Sequence, residues 1–222
     1  MPQSEILKKI IQNMESVIVG KRRAIELALI TLLSDGHLLL EDVPGVGKTT
    51  LGKALAQSVQ CSFARIQFTP DTLPGDVIGM SMYQMQTGKF SYVPGAVMND
   101  ILLADEINRT SPKTQASLLE AMEEQQVTVD GITYALPELF MVIATQNPVE
   151  QLGTYRLPEA QLDRFMMKIS MGYPETPADE ADIVRRMVDG EPLKKLSPVT
   201  TRDELMQIKE EVKAVAVHQD VM

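Results

Sequence analysis

Residues 37–50, HLLLEDVPGVGKTT, place a short apolar run directly before a glycine-rich turn. Because a nearly continuous apolar run is typical of a strand buried on both faces, we predict a strand, a tight loop and then a helix. The end of the stretch, Gly47-Lys48-Thr49, matches the end of the phosphate-loop pattern G-x-x-x-x-G-K-[ST]. Asp42 stands where that pattern has its first glycine. The stretch therefore predicts either a phosphate-binding loop with one altered residue or a turn that imitates one.

Helices and strands are predicted to alternate along the rest of the chain. Apolar residues recur at helical spacing over residues 4–15, 21–34 and 48–59, whereas strand-like runs cover 62–68, 100–105, 139–145 and 165–171. Such alternation predicts an α/β fold with a parallel sheet and helices on both faces. Two further segments, 69–98 and 126–136, are predicted to form β-hairpins. In the second, the signal is Asp130-Gly131 between alternating β-formers.

The character of the chain changes after Pro174. Residues 177–189 and 201–217 are charged and helical, and no strand is predicted among them. We therefore place a domain boundary there, with an α/β core over residues 1–173 and a helical piece over 174–222. That piece has too few helices to bury a core of its own.

Composition and charge exclude several classes of function. The 222 residues carry 30 acidic and 21 basic side chains, a net charge of −9, without a basic tract, so we expect no nucleic-acid partner. A single cysteine, Cys61, excludes an intramolecular disulfide, and two distant histidines, His37 and His218, disfavour a zinc site. The N-terminal helix lacks the features of a signal peptide, and no segment is apolar enough for a transmembrane span, so we expect a cytoplasmic protein.

The glycine-rich loop has the chemistry to bind the phosphates of a nucleotide. Its backbone N–H groups and the start of the next helix accept phosphate oxygens, and glycines at 45 and 47 allow close approach. Lys48 is expected to reach the β- and γ-phosphates, and the Thr49 hydroxyl to ligate Mg²⁺. The expected nucleotide-binding residues in this loop are Pro44, Gly45, Val46, Gly47, Lys48, Thr49 and Thr50.

Two other predicted strands end in polar side chains. ILLADE ends in Asp105, expected to hold Mg²⁺, and Glu106, expected to orient and deprotonate a water that attacks the γ-phosphate. Asn147 follows VIATQ and is expected to polarise that water or to contact the γ-phosphate. Strand ends of open α/β sheets are where ligands bind. The simpler alternatives are a solvated acidic strand end and an Asn-Pro turn.

Taken together, several motifs resemble the MoxR family of AAA+ ATPases from about residue 17 to residue 174. They are VIVGKRRAIELAL, LLLEDVPGVGKTTL, RIQFTPDTLPGDVIG, LLADEINRTSPKTQASLLEAMEE, IATQNPVEQLGTYRLPEAQLDRF and MGYP. The resemblance implies a P-loop AAA+ α/β/α core with β-hairpin inserts that hydrolyses ATP with Mg²⁺. By the same resemblance Lys48 and Thr49 match Walker A, Asp105 and Glu106 match Walker B, and Asn147 matches sensor 1.

The resemblance also implies an assembly. Arg164, in LDRF, matches an arginine finger that reaches the ATP of a neighbouring subunit, which implies a ring, usually a homohexamer. The alternative for Arg164 is a surface ion pair with Asp163 or Glu159. Arg109 is a second candidate for subunit contacts. Val19 and Gly20 align with the segment that cradles adenine.

Outside the core, the resemblance makes residues 174–222 the start of a helical lid that we expect to be incomplete. No match to the family's sensor 2 arginine is present, and Arg185 and Arg186 lie too early in the lid to replace it. Three methionines of the first hairpin, Met80, Met82 and Met85, form either an adaptable contact surface or a local core.

The function implied is that of a chaperone-like remodeller whose partners carry von Willebrand factor A domains. Three alternatives stay open at this point. They are a nucleotide-gated assembly module with little hydrolysis, a magnesium-chelatase-like ATPase subunit and, more weakly, a DNA helicase.

Overall fold

The computed structural model describes residues 3–149, 154–188 and 190–216. The helices are α1 (Gln3–Glu15), α2 (Arg22–Leu33), α3 (Lys48–Ser58), α4 (Pro74–Ile78), α5 (Pro112–Glu124), α6 (Glu159–Leu162), α7 (Pro177–Val188), α8 (Pro192–Lys195) and α9 (Arg202–Lys213). The strands are β1 (Leu38–Glu41), β2 (Phe63–Gln67), β3 (Gly79–Gln84), β4 (Lys89–Pro94), β5 (Ile101–Asp105), β6 (Gln126–Val129), β7 (Ile132–Ala135), β8 (Met141–Gln146) and β9 (Met167–Ile169). Predicted and observed elements therefore agree closely along most of the chain.

Five strands form one parallel sheet in the order β2-β5-β8-β1-β9. β5 is buried at all five positions, as expected of a parallel strand covered on both faces. In the register of the sheet, Glu41 pairs with Gln146, and Gln67 pairs with Asp105. Hence the carboxyl ends of four strands meet at one edge, and the phosphate loop, Asp105 and Asn147 all follow that edge.

Two hydrophobic cores cover the two faces of the sheet. The first lies under α1, α2 and α3 and includes Ile10, Ile25, Leu51 and Ile143. The second lies under α4 and α5 and includes Val77, Leu118, Phe68 and Val142. Because neighbouring residues of one strand point to opposite faces, Val142 and Ile143 serve different cores. The predicted three-layer α/β/α architecture is confirmed.

Both predicted hairpins are present. β3 pairs with β4 and β6 with β7, each antiparallel, and ring stacking of Tyr92 on Tyr134 at 4.0 Å joins the two hairpins. The β6–β7 turn consists of Asp130 (φ 51°) and Gly131 (φ 78°), the pair of positive φ angles that a type I′ turn requires.

The methionines of the first hairpin lie at the surface. Met80 is 41% exposed, Met82 52% and Met85 92%, so they do not fill a local core. Of the two interpretations offered by the sequence, the adaptable surface is the one compatible with these exposures.

Residues from the segment after Pro174 pack on the α/β core. Leu196, Leu205 and Ile208 are buried in the first hydrophobic core. Lys209 of α9 is almost fully buried and forms an ion pair with Asp35, which follows α2. The predicted domain boundary near Pro174 stays a prediction. The described residues beyond it add apolar side chains to the first hydrophobic core. The last residues of the two predicted helices, Asp189 and Val217, lie outside the described residues.

His37 fixes the contact between the sheet and α5. The backbone N–H of Val142 donates to its Nδ1 at 3.0 Å, and its Nε2 lies 3.4 Å from the carbonyl oxygen of Met122. Burial lowers the pKa of His37 to about 4, so the ring is neutral at neutral pH. Within the described residues, no helix has the length and apolarity needed to cross a bilayer.

Candidate nucleotide-binding site

The glycine-rich loop after β1 has the backbone conformation that phosphate binding requires. Gly45 (φ +86°) and Gly47 (φ +93°) are both left-handed, a region that residues with a Cβ rarely adopt. Gly47 is the N-cap of α3, so the positive end of that helix lies at the loop. Lys48 Nζ donates to the backbone oxygen of Asp42 at 2.8 Å, which holds the ammonium group beside the loop.

Asp42, the departure from the phosphate-loop pattern, is a buried hydrogen-bond acceptor. The residue is 5% exposed, and its carboxylate accepts hydrogen bonds from Ser170 Oγ at 2.7 Å, Met171 N at 2.5 Å and Gly172 N at 3.1 Å. A glycine at this position would leave those donors without this acceptor. The altered residue therefore ties the beginning of the loop to the segment that follows β9.

One cavity of about 380 Å³, the phosphate-side cavity, brings together the loop and the end of β5. It is lined by Pro44, Gly45, Gly47, Lys48, Thr49, Arg65, Gln67, Asp105 and Glu106. The loop residues and the acidic pair were predicted from separate parts of the sequence, and the parallel sheet places them side by side.

Asp105 is held by two neighbours. Arg65, from β2, donates to Asp105 Oδ2 from Nη2 at 2.6 Å and from Nε at 3.2 Å, and Thr145 Oγ1 donates to Oδ1 at 2.6 Å. The residue is only 8% exposed, and a buried polar group is stabilised when hydrogen bonds replace those it would make to water. Asp105 is thus fixed in direction at the wall of the cavity.

Glu106 is oriented by its backbone as well as by its side chain. It adopts a left-handed conformation (φ 58°), and its N–H donates to Thr145 Oγ1 at 2.8 Å. Its carboxylate accepts from Gln67 Nε2 at 2.7 Å and from Arg109 Nη1 at 2.9 Å. Arg109, expected at a subunit contact, therefore also contacts Glu106 within its own chain.

Arg65, Gln67 and Thr145 were not assigned by the sequence analysis. The sequence carried a signal for Arg65 and Gln67, because residues two apart on a strand share one face and residues 62–68 were predicted to form a strand of the sheet. Nothing local marked Thr145, whose role depends on β8 lying next to β5.

The cavity fits a magnesium ion bound together with phosphates. Thr49 and Asp105 provide oxygen atoms on its wall, and Mg²⁺ prefers one or two protein oxygens completed by phosphate and water. Among the described residues there is no cluster of three or more His, Cys, Asp or Glu side chains suited to hold a metal ion without such a ligand.

A second cavity of about 390 Å³, the base-side cavity, lies on the other side of the same loop. Val46 and Thr50 line it from the loop and α3, Val19 from the segment after α1, and Ile183 from α7. Largely apolar walls suit a flat aromatic base. Gly20 is not among the lining residues. A Cβ there would meet the carboxylate of Asp179 at 3.2–3.4 Å, so the glycine permits α7 to approach.

Asn147 is not among the residues that line the phosphate-side cavity. It is 7% exposed and lines a separate polar cavity of about 290 Å³ together with Glu41, Arg156 and Lys168. Its Oδ1 accepts a hydrogen bond from the N–H of Val149 at 3.1 Å, as in the simpler Asn-Pro turn. The role of Asn147 toward a γ-phosphate stays a prediction.

Arg164 is also not among the residues that line the phosphate-side cavity. Its guanidinium forms an ion pair with Glu123 at the end of α5, and the side chain is 40% exposed. The partner is therefore neither Asp163 nor Glu159, the two carboxylates considered from the sequence. An exposed guanidinium that is not part of its own chain's site is compatible with a role in a neighbouring subunit.

Arg186 does not take the place of a sensor 2 residue. Its Nη1 donates to the carbonyl oxygens of Glu15 at 2.8 Å and Ser16 at 2.7 Å, and its Nη2 pairs with Asp182. Cations at the carboxyl end of a helix are stabilising, so this arginine anchors α7 to the end of α1.

Comparison with known proteins adds to this geometry. A family model described as ATPase family associated with various cellular activities (AAA) matches residues 37–167. The chain is 53% identical over 210 residues to the uncharacterised protein YeaC of Bacillus subtilis, covering 95% of this chain and 65% of that protein. It is 48% identical over 181 residues to Chaperone MoxR1 of Mycobacterium tuberculosis, covering 82% of this chain and 48% of that protein.

A solved structure of a similar protein has the same fold as this chain. The crystal structure of a provisionally assigned ATPase from Cytophaga hutchinsonii superposes with a TM-score of 0.89 at 41% identity, covering 98% of this chain and 66% of that one. The chain thus spans from about half to just under two thirds of the length of the proteins that it matches.

Proposed function

Since the chain belongs to the MoxR family of AAA+ ATPases, we propose that it binds ATP together with Mg²⁺ and hydrolyses it to drive the remodelling of a partner protein. The observation that carries the proposal is the phosphate-side cavity. It gathers Lys48 and Thr49, where the loop enters α3, and Asp105 and Glu106, at the end of β5 and directly after it, around one space.

Each of these residues has a separate task in the proposed reaction. The loop N–H groups and Lys48 bind the phosphate oxygens, and Thr49 and Asp105 provide oxygen ligands for the metal. Mg²⁺, when bound, neutralises charge on the phosphates. Glu106, directed by Gln67 and Arg109, orients water and accepts its proton. Catalysis in this scheme comes mainly from positioning and from electrostatic stabilisation.

The proposed active unit is a homohexameric ring. Arg164 would act on the ATP of the next subunit, which agrees with its exposure and with the fact that it does not line the phosphate-side cavity of its own chain. The proposed partner is a protein with a von Willebrand factor A domain, bound in the cytoplasm. The exposed methionines of the β3–β4 hairpin offer an adaptable surface for such a contact.

Glu106→Gln tests the proposal. The change preserves size and one hydrogen-bond acceptor but removes the base, so we expect steady-state phosphate release to fall about 100-fold or more while ATP binding persists. The measurements are multiple-turnover phosphate release and calorimetric ATP affinity. Glu120→Gln, an exposed position on α5, is the matched control and should behave as the wild type.

A second candidate function is a nucleotide-gated switch that binds ATP with little hydrolysis. It is favoured by the contacts that already hold both acidic side chains, Arg65 on Asp105 and Gln67 on Glu106. ATP binding without multiple turnover in the wild type would support the switch. Absence of ATP binding would contradict both functions.

A further inference from the structure

Residues 170–174, which we call the wall segment, follow β9. Gly172, Tyr173 and Pro174 line the base-side cavity, and α7, which begins three residues later, supplies Ile183 to the same cavity. The position of this segment thus determines the shape of the space available to a base.

Two side chains hold the wall segment in place. Asp42 accepts its three hydrogen bonds from Ser170, Met171 and Gly172, which lie 128 to 130 residues later in the chain. Lys21 Nζ donates to the carbonyl oxygen of Tyr173 at 2.6 Å. Of these two anchors, only Asp42 also belongs to the phosphate loop, so it fixes the wall segment relative to the phosphates.

The carboxylate of Asp42 suits this task better than the amide of asparagine or the hydrogen of glycine. Both of its oxygens accept hydrogen bonds from the wall segment, one from Met171 N and the other from Ser170 Oγ and Gly172 N. An asparagine would place an NH₂ group, which can only donate, against at least one of these donors. Glycine, the usual residue of the motif, offers no acceptor.

We propose that Asp42 is a positioning residue that fixes the position of the base-side cavity relative to the phosphate loop. Through this residue, the loop that binds phosphates also determines where the base and α7 lie. The inference rests on the proposed function only in that a nucleotide occupies both cavities. Asp42 acts on the half of the site that holds the base, and the loop backbone and Lys48 bind the phosphates.

The first test compares two probes, ADP and inorganic tripolyphosphate, each with Mg²⁺, in calorimetric titrations of the wild type and Asp42→Asn. ADP carries a base that would contact the wall segment, whereas tripolyphosphate has no base and would bind to the phosphate loop alone. We expect ADP affinity to fall about tenfold, the cost of a lost charge-assisted hydrogen bond, with tripolyphosphate affinity unchanged. An equal loss for both probes would mean that Asp42 acts on the loop itself, and unchanged ADP affinity would overturn the proposal as well.

Ser170→Ala is the second variant, because it keeps the buried carboxylate and removes one of its three donors. We expect ADP affinity to fall about threefold, with tripolyphosphate again unaffected. This expected difference between the ADP and tripolyphosphate affinities does not depend on how well Asp42→Asn folds. If Ser170→Ala binds ADP as tightly as the wild type, the proposal is wrong.

Hydrogen exchange provides a readout that needs no nucleotide. In Asp42→Asn the amides of Met171 and Gly172 should exchange faster than in the wild type, while amides of α3 keep their rates. Unchanged exchange at these two amides would contradict the positioning role. A wild-type protein that binds neither probe would contradict the proposed function, and the exchange result would still decide the role of Asp42.

Discussion

The phosphate-side cavity and the base-side cavity lie on either side of one loop, and they are built in opposite ways. The first is polar, and its charged groups are held in place by hydrogen bonds from β2 and β8 to Asp105 and Glu106. The second is largely apolar and is enclosed by segments near residues 17–21, 45–50, 172–174 and 183–193. A compact motif with its neighbouring strand ends thus makes one half of the site, whereas packing of distant segments makes the other.

This difference teaches how the two halves respond to change. Loss of one charged group on the phosphate side removes an interaction that no neighbour replaces, because charge-assisted hydrogen bonds are directional and strong. On the base side many apolar groups share the contact, and each contributes a small area. We therefore expect large effects of single substitutions on the first side and small ones on the second.

The largest expected effect tests whether the phosphate side is complete within one chain. Arg164→Ala should leave ATP affinity near that of the wild type and lower turnover about 1,000-fold or more, the magnitude typical of an arginine finger. Steady-state phosphate release and calorimetry measure the two quantities. Glu123→Gln breaks the same ion pair from its other end and is the control. If both variants lose turnover equally, the pair itself matters and the role in a neighbouring subunit is wrong.

A smaller but still large effect is expected for Lys48→Ala. The affinities for ATP and for tripolyphosphate should both fall about 100-fold or more, since a charge-assisted contact contributes about 3 kcal/mol. Lys53→Ala, on the exposed face of the same helix, is the control and should bind both ligands normally. A loss restricted to ATP would show that the two cavities are not divided as described.

The smallest expected effect lies on the base side. Ile183→Ala removes part of one apolar wall, so ATP affinity should fall about threefold to tenfold, with tripolyphosphate affinity unchanged. Val184→Ala, one residue further along α7 and 63% exposed, should have no effect on either ligand. A drop of two orders of magnitude for Ile183→Ala would contradict the idea that apolar contacts are shared.

Much of the fold was predictable because its signals are local. The buried strands, the turn at Asp130-Gly131 and the glycine-rich loop all follow from short-range patterns and are present in the structure. Periodicity did not, however, identify α5. Its start carries a recognisable signal, since Ser111 caps the helix and Pro112 occupies its first position, as is common at helix N-termini.

The candidate site was predictable only in part. Lys48, Thr49, Asp105 and Glu106 meet in one cavity, because parallel strands end at the same edge of the sheet. Arg164 was assigned from a resemblance, and its partner Glu123 could not be foreseen, since the two residues meet only when the chain after α6 packs beside α5. Asn147 follows the expected strand but lines a different cavity.

The sequence by itself determined the phosphate loop, the strand ends that face it and the class of chemistry they can support. Those features depend on apolar periodicity and on backbone conformations that glycine permits, and both act over a few residues. Only the tertiary structure decided what Asp42 does and how the base-side cavity is enclosed. A buried carboxylate takes its partners from whatever chain is packed against it, and here that chain is the segment after β9.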